Sequence, residues 1–472
     1  MSKVSASDGM LTNRTFDELR VGETASIVRV VSPEDIKLFA AVSGDINPAH
    51  LDADYAAHDV FGHVVIHGMW TAALISTLLG TELPGPGTIY LGQNLRFPRP
   101  VSPGDTITAT VTVQEKRSEK HIVVLDTRCR NQRREDVLTG TATVIAPTER
   151  LSLPRVAPPE VSLRQHDRFE AILREARNLP LLRTAIVHPC NVESIQAAIE
   201  ARDEGLIEPV LIGPEHRIRA AAEKAGLSIA GLRLEPVEHS HAAAARAVEF
   251  ATSGDVDVLM KGSLHTDELL GAVVSAKSGL RTDRRISHVY ALDVPTYPKP
   301  LFVTDAAINI APTLEQKRDI CQNAIDLLHV LGVAEPLVAV LAAVETVNPA
   351  MPATLDAAAL TVMAARGQIT GARVDGPLAF DNAINLDAAR IKEIVSPVAG
   401  HADILLVPNI ETGNMLAKQL IHLAGADAAA LVLGARVPII LTSRSDSLNV
   451  RLASVALAKL VSARRKAASF AG

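Results

Sequence analysis

The sequence predicts an α+β unit followed by an α/β unit, and two observations carry that expectation. Between residues 91 and 144, short β-branched runs (ITATVTV, HIVVLDTR, TGTATVI) are separated by turn residues such as Pro103-Gly104-Asp105. Farther on, buried strand candidates (TAIVH, PVLIG, VDVLM, PLVAVLAAV, ADILLVP, PIILTS) alternate with amphipathic helices such as residues 191–204. That alternation is the pattern of a largely parallel sheet covered by helices. The length of 472 residues suits roughly three domain-sized units.

In chain order, the first informative stretch is FAAVSGDINPAHLDADYA, residues 39–56. Gly44-Asp45 is turn chemistry. Asn47-Pro48 starts a helix, with Asn as N-cap and Pro at the first helical position. MWTAALISTLL, residues 69–79, is apolar on nearly every side, which predicts a helix wrapped by a sheet. The strand-like half follows. PTERLSLPRVAPPE, residues 147–160, is rich in proline and lacks periodicity, so it reads as a linker with some stiffness. These signals divide the chain into residues 1–150, a linker at 151–164, and residues 165–472. In the second unit HAAAARAVEF is a good helix former, and the sequence shows no internal repeat.

Hydrophobic residues make up 47% of the chain and aromatics only 3%, so aliphatic side chains supply the cores. A net charge of -6 carries no nucleic-acid signature. The basic run RCRNQRR, residues 128–134, is short and lies beside strand-like sequence, as a solvated edge does. Cys129, Cys190 and Cys321 are far apart and make neither a zinc spacing nor a disulfide framework, which fits a reducing compartment. The N-terminal MSKVSASDGM is polar, and no run nears 18 apolar residues. A cytoplasmic protein without a membrane span is expected.

Taken alone, Asp45-x-Asn47-Pro48-x-His50 is a turn and a helix cap. In the order turn, capped helix, buried helix, strands, and together with VIHGM and YLGQNLRFPRPVSPGD, it resembles the MaoC-like (R)-specific enoyl-CoA hydratases of the hotdog fold. The resemblance spans about residues 16–145. Phe39, Gly44, Asp45, Asn47, Pro48 and His50 match the family motif. It implies syn addition of water across a trans-2-enoyl-CoA to give an (R)-3-hydroxyacyl-CoA.

The residues themselves suit that chemistry. Hydration of a conjugated thioester needs a base for water, an acid for the α-carbon and a stabiliser for the enolate oxygen. Asp45 precedes the helix and His50 sits in its first turn, whose positive end favours a neutral imidazole. The two can grip one water, and which of them takes its proton is left open. Asn47, between them, is a candidate substrate contact. Gly68, at the start of the apolar helix, is the candidate oxyanion donor through its backbone N–H, with plain packing as the competing reading. His63 and His67 read as structural residues and His58 as a surface residue.

Three strand candidates of the second unit end in polar loops. DVDVLMKGSLHT, residues 255–266, ends in Lys261-Gly262-Ser263 and enters a helix, as a phosphate cradle does. PNIETGNMLAK, residues 408–418, repeats the pattern with Gly413 and Asn414. PIILTSRSDSLNVRL, residues 438–452, carries Ser443, Arg444 and Asp446. The three ends are expected to converge at the carboxyl edge of one sheet, where open α/β proteins bind ligands. Lys261, Ser263, Gly413, Asn414 and Ser443 are the substrate-binding candidates, and Arg444 offers a bidentate fork to phosphate. Any one loop alone is a plain strand–helix turn.

KGSLHTDELLGAVVSAKSGLRT, SHVYALDVPTYPKPLFVTDAAINIAPTLEQK, AAVETVNPAMPATLDAAAL, DGPLAFDNAIN, SPVAGHADILLVPNIETGN and LTSRSDS resemble the phosphate acetyl/butyryltransferases, nearer the butyryltransferase branch. The resemblance covers roughly residues 169–460. It implies two α/β subdomains around a cleft and acyl transfer between CoA and orthophosphate. It also implies that Ser443 and Arg444 sit in that cleft, with Arg444 on phosphate or the thioester carbonyl. In the acetyltransferases a catalytic Asp follows the Arg by six positions, where this chain has Val450. Asp446, two after the Arg, is the candidate replacement base; Asp381 and Glu411 are the other acids considered.

The expectation is a bifunctional acyl-CoA enzyme: an α+β hotdog hydratase followed by an α/β phosphate acyltransferase. Its substrates are CoA thioesters and orthophosphate. No permanently bound cofactor, metal, nucleic acid or membrane partner is expected, and resemblance implies a homo-oligomer. The alternatives are a hotdog thioesterase or dehydratase joined to the same transferase, or one half serving as a non-catalytic CoA-binding or oligomerising module.

Overall fold

The computed structural model describes residues 9–159, 161, 167–441 and 448–470. Two compact units divide the chain, Met1–Leu163 and Arg164–Gly472.

The first unit begins with β1 (Met10–Thr12), β2 (Thr24–Val30), α1 (Pro33–Ser43), α2 (Pro48–Leu51), α3 (Ala53–His58) and α4 (Gly68–Thr81). It continues with β3 (Ile89–Arg96), β4 (Thr106–Arg117), β5 (Ile122–Arg130), β6 (Asp136–Ile145) and β7 (Ser152–Pro154). Five strands make one antiparallel sheet in the order β2-β4-β5-β6-β3. Alternation sets its faces: Ile107, Ala109, Val111 and Val113 of β4 are buried, and the residues between them are half-exposed. Leu74, Ile75, Leu78 and Leu79 of α4 share one core with Val111, Leu125 and Ala142 of the sheet, the hotdog arrangement.

Two expectations change here. α4 is not wrapped on every side. Met69, Ala73, Ser76, Thr77 and Gly80, at helical spacing, leave an exposed stripe of mostly small residues. Residues 151–155 are not linker. β7 pairs with β1, and Arg155 makes a 2.9 Å ion pair with Glu82. Asn13 also donates to the carbonyls of Pro86 and Glu149. The partner of β7 lies at the other end of the unit, so local composition could not reveal the pairing.

The second unit opens with α5 (Asp167–Arg177), β8 (Leu182–Val187), α6 (Val192–Asp203), β9 (Ile207–Gly213), α7 (Glu215–Ala225) and β10 (Arg233–Pro236). Next come α8 (Ser240–Ser253), β11 (Val258–Lys261), α9 (Thr266–Val274), β12 (Ser287–Asp293), β13 (Leu301–Thr304) and α10 (Leu314–Val330). The remainder is β14 (Leu337–Leu341), α11 (Pro352–Ala365), β15 (Arg373–Leu378), α12 (Phe380–Ile384), α13 (Leu386–Ile391), β16 (Ile404–Leu406), α14 (Ile410–His422), β17 (Asp427–Leu433), β18 (Ile439–Ile440) and α15 (Leu448–Phe470). The strands form a single sheet in the order β10-β9-β8-β11-β18-β17-β12-β13-β16-β14-β15.

Parallel blocks occupy both flanks of this sheet, as the α/β pattern predicts. The centre differs: β17 is antiparallel to both β18 and β12, and β12 is antiparallel to β13. β16 therefore runs opposite to β11 and β18. The three polar strand ends do not converge on one edge: β11 and β18 end together, and β16 ends at the opposite edge. No helix among the described residues is long and apolar enough to cross a membrane.

Ile75→Ala removes a fully buried side chain from α4 and should cost about 2–5 kcal/mol. Trp70, the single tryptophan of the chain, lies on the same helix. Denaturant unfolding followed at its fluorescence should show a lower midpoint for the first unit; an unchanged midpoint contradicts this packing.

Candidate active sites

α1 ends at Gly44, whose φ of 75° turns the chain sharply and delivers Asp45 to the following loop. Asn47 accepts the Ala49 N–H at 3.1 Å as the cap of α2, and its own N–H donates to Asp45 Oδ1 at 3.2 Å. The cap and the acid are thus one local structure. His50 lies on α2 with Nδ1 2.8 Å from the Val65 carbonyl oxygen. A carbonyl only accepts, so Nδ1 carries the proton and Nε2 keeps a lone pair. A helix of four residues has little dipole, so the Val65 contact, not the helix end, sets this tautomer.

His67 supports the pair from below. It is 1% exposed, its Nε2–H donates to the Asp45 carbonyl at 2.9 Å, and its ring lies against His50 with centroids 3.9 Å apart. One potential ligand atom from each of Asp45, His50 and His67 falls within 4.8 Å of the others. The two imidazole planes are tilted by 36°. His67 is a positioning residue. His63 bonds Ser102 Oγ, and exposed His58 bonds the Asp54 carbonyl.

His50 and Gly68 line one cavity of about 400 Å³ with Phe61, Val65, Phe97 and Val137. Gly68 is the first residue of α4, so its N–H has no acceptor within the helix. A Cβ at this position would sit 3.1 Å from the Phe97 ring. Close packing and a free donor therefore coexist at the same glycine.

In the second unit, Ser263 ties two strand ends together. Its hydroxyl donates to the His188 carbonyl at 2.8 Å and accepts from His188 Nδ1 at 3.0 Å and the Cys190 N–H at 3.3 Å. With the hydroxyl proton on the carbonyl, the ring proton of His188 belongs on Nδ1. A Cβ on Gly262 would sit 2.6 Å from the same carbonyl oxygen, so only glycine allows this approach. Lys261 Nζ turns back onto the Gly262 and Leu264 carbonyls.

Gly413 and Asn414 lie inside α14 rather than in a loop. A Cβ on Gly413 would sit 2.6 Å from the Asp305 carbonyl oxygen, and Asn414 Nδ2 donates to the Ala306 carbonyl at 3.1 Å. They fasten α14 to the 305–306 turn and are not brought together with Ser263. Ser443, Arg444 and Asp446 lie outside the described residues. Val450 is in the first turn of α15. Asp381 pairs with Lys392 at 3.4 Å, and Glu411 lines a cavity of about 800 Å³ with Met351, Phe380 and Met415.

The sequence reading made no site candidates of His188, Cys190, Arg217 and Lys224, which surround Ser263 in a cavity of about 630 Å³. The signal available was His188-Pro189-Cys190-Asn191 directly ahead of a helix. Burial pushes the His188 pKa down, aided by Arg217. It raises the Cys190 thiol and pushes Cys129 and Cys321 up to about 12.

A hotdog unit with an Asp–His pair ahead of a two-flanked α/β unit is the class these features define. Residues 20–132 match the family described as MaoC like domain, and residues 237–459 match Phosphate acetyl/butaryl transferase. The chain is 56% identical to a phosphate acetyltransferase of Rhizobium meliloti, covering 65% of this chain and 97% of that protein. A solved branched-chain phosphotransacylase from Enterococcus faecalis V583 is 29% identical over 59% of this chain and 99% of its own, with a TM-score of 0.53. A solved R-hydratase, PhaJ1 from Pseudomonas aeruginosa, is 46% identical over 33% of this chain and 99% of its own, with a TM-score of 0.32. The chain belongs to the phosphate acetyl/butyryltransferase family and carries a MaoC-like domain ahead of that part.

In the native chain a thiol reagent should modify Cys190, which is partly exposed, and spare buried Cys129 and Cys321. All three should react after unfolding. Native labelling of Cys129 or Cys321, read by mass spectrometry, contradicts the burial described.

Proposed function

We propose that the chain carries two acyl-CoA activities. The first unit hydrates trans-2-enoyl-CoA to (R)-3-hydroxyacyl-CoA; the second transfers acyl groups between CoA and orthophosphate. The observation that carries the first is the meeting of Asp45 and His50, with a potential ligand atom of each within 4.8 Å of the other, and the cavity that His50 shares with Gly68. A water held by Asp45 and His50 gives up a proton as its oxygen bonds C3 of the enoyl group. The electron pair of the double bond moves onto the thioester oxygen, which the Gly68 N–H receives. A proton returned to the α-carbon from the same side completes syn addition. Positioned acid–base groups contribute roughly 10²–10⁴-fold, and one oxyanion donor about 2.7–4 kcal/mol.

Family membership supports the second activity. An orthophosphate oxygen attacks the thioester carbonyl, the C–S bond breaks, and the CoA thiolate takes a proton. Arg444 is assigned to the phosphate or the carbonyl, Ser443 to substrate, and Asp446 to the proton; positioning and charge stabilisation supply the rest. The substrates carry the whole chemistry, so no resident cofactor is needed. This reading has the protein in the cytoplasm as a homo-oligomer.

Asp45→Ala and His50→Ala should each lower crotonyl-CoA hydration by at least about 10²-fold, measured by loss of enoyl absorbance. Arg444→Ala should cripple phosphate-dependent release of CoA from butyryl-CoA, and Lys at this position should not restore it. Each substitution should leave the other reaction within a few-fold of normal. Near-normal hydration in either first-unit variant sinks that assignment. Loss of hydration in folded Arg444→Ala protein contradicts two separate sites. Asp446→Asn should lower transfer turnover with little change in the KM for phosphate; unaffected turnover removes Asp446 as the base.

A further inference from the structure

We propose that the two sites act in a fixed order on one acyl group. The first unit supplies the second with its substrate, and the chain converts a trans-2-enoyl-CoA, water and orthophosphate into an (R)-3-hydroxyacyl phosphate and CoA. The inference rests on both activities proposed above.

The first site leaves its product an intact thioester. Its cavity opens beside Phe61 and Phe97, which are exposed, and buried Thr71 and Val137 are part of its wall. Among the described residues of that wall there is no serine, cysteine or lysine, and Thr71 carries the one hydroxyl. That hydroxyl is engaged, donating to the Gly68 carbonyl at 2.6 Å. Cys129 is fully buried, and its Sγ–H donates to the Thr71 carbonyl at 3.6 Å. Neither serves as an acyl acceptor, so the C1–S bond of the thioester is kept.

Bond changes then fix the order. In hydration the water oxygen bonds C3, a proton adds to C2 and the double bond between them is lost; C1–S is untouched. In transfer a phosphate oxygen bonds C1, the C1–S bond breaks and the sulfur takes a proton. The product of the first step thus still has the bond that the second step breaks. The reverse order removes CoA before hydration, and with it the remote part of the substrate whose binding energy an acyl-CoA site uses. Electronics agree. In the enoyl thioester the double bond is conjugated with the carbonyl and feeds electron density to C1, which blunts attack by phosphate. Hydration ends that conjugation, and the new 3-hydroxyl withdraws electrons from C1. No oxidant or further reactant is needed. His50 belongs to the unit Met1–Leu163 and the transferase match to the unit Arg164–Gly472, so one chain makes the two sites in equal number.

The test gives the full chain orthophosphate and one thioester at a time: crotonyl-CoA, (R)-3-hydroxybutyryl-CoA or acetyl-CoA. Acyl phosphates are identified by mass spectrometry and free CoA is followed in time. From crotonyl-CoA, 3-hydroxybutyryl-CoA should appear before free CoA, and the acyl phosphate should be 3-hydroxybutyryl phosphate. Asp45→Ala should lower phosphate-dependent CoA release from crotonyl-CoA by about tenfold or more, in step with lost hydration. Supplying (R)-3-hydroxybutyryl-CoA to this variant should restore the release. Crotonyl phosphate as the main product, or release from crotonyl-CoA unaffected by Asp45→Ala, overturns the order. Release from acetyl-CoA but not from (R)-3-hydroxybutyryl-CoA overturns it while leaving the transferase reading in place. No release from any of the three removes the transferase reading and the order with it. Release from (R)-3-hydroxybutyryl-CoA without hydration of crotonyl-CoA removes the hydratase reading and the order with it.

Discussion

The hydrogen bond from His50 Nδ1 to the Val65 carbonyl, 2.8 Å long, is the contact on which the chemistry proposed for the first unit turns. It decides which ring nitrogen can take a proton. Its geometry is inherited from the backbone on either side. The Val65 N–H donates to the Ala49 carbonyl at 3.3 Å, and the Ile66 N–H donates to Val101 at 2.8 Å. Two residues later the chain enters α4, whose Leu74, Ile75, Leu78 and Leu79 are held by the sheet. Burial of an apolar helix thus fixes a short segment, and that segment holds His50 and the Gly68 N–H, the proposed oxyanion donor, in place. His67 adds the last restraint by holding the Asp45 carbonyl from within the core.

The second unit reaches its site by a different constraint, the close approach of backbone segments that tolerate no side chain. Gly262 lets the end of β11 press on the loop after β8, and Ser263 then ties the two through three hydrogen bonds. Gly413 does the same for α14 and the 305–306 turn. The antiparallel strands β17 and β12 separate these two places by reversing the direction of the sheet. Polar loops of similar sequence therefore have unlike surroundings.

Local signals were legible in the sequence, and long-range ones were not. GDINPAH announced its turn, its cap and its Asp–His pair because all of them form within a few residues. The period of two in ITATVTV gave the buried face of β4 directly. The reversal of β16 relative to β11 depends on pairings between distant segments, which no window of sequence contains. The same is true of β7, whose partner β1 is at the far end of the unit. His188 and Cys190 were not singled out as site residues because single polar residues at a strand end carry no periodicity; only their meeting with Ser263 and Arg217 gives them a setting.

Two acyl-CoA reactions on one chain is the central claim, and product analysis with crotonyl-CoA tests it most directly. Without phosphate, the two-site assignment predicts conversion to (R)-3-hydroxybutyryl-CoA with no free CoA. With phosphate, it predicts free CoA and an acyl phosphate in equal amounts in addition. An (S) product, or no hydration, contradicts the first site. Absence of phosphate-dependent CoA release from crotonyl-CoA and from acetyl- to hexanoyl-CoA contradicts the second.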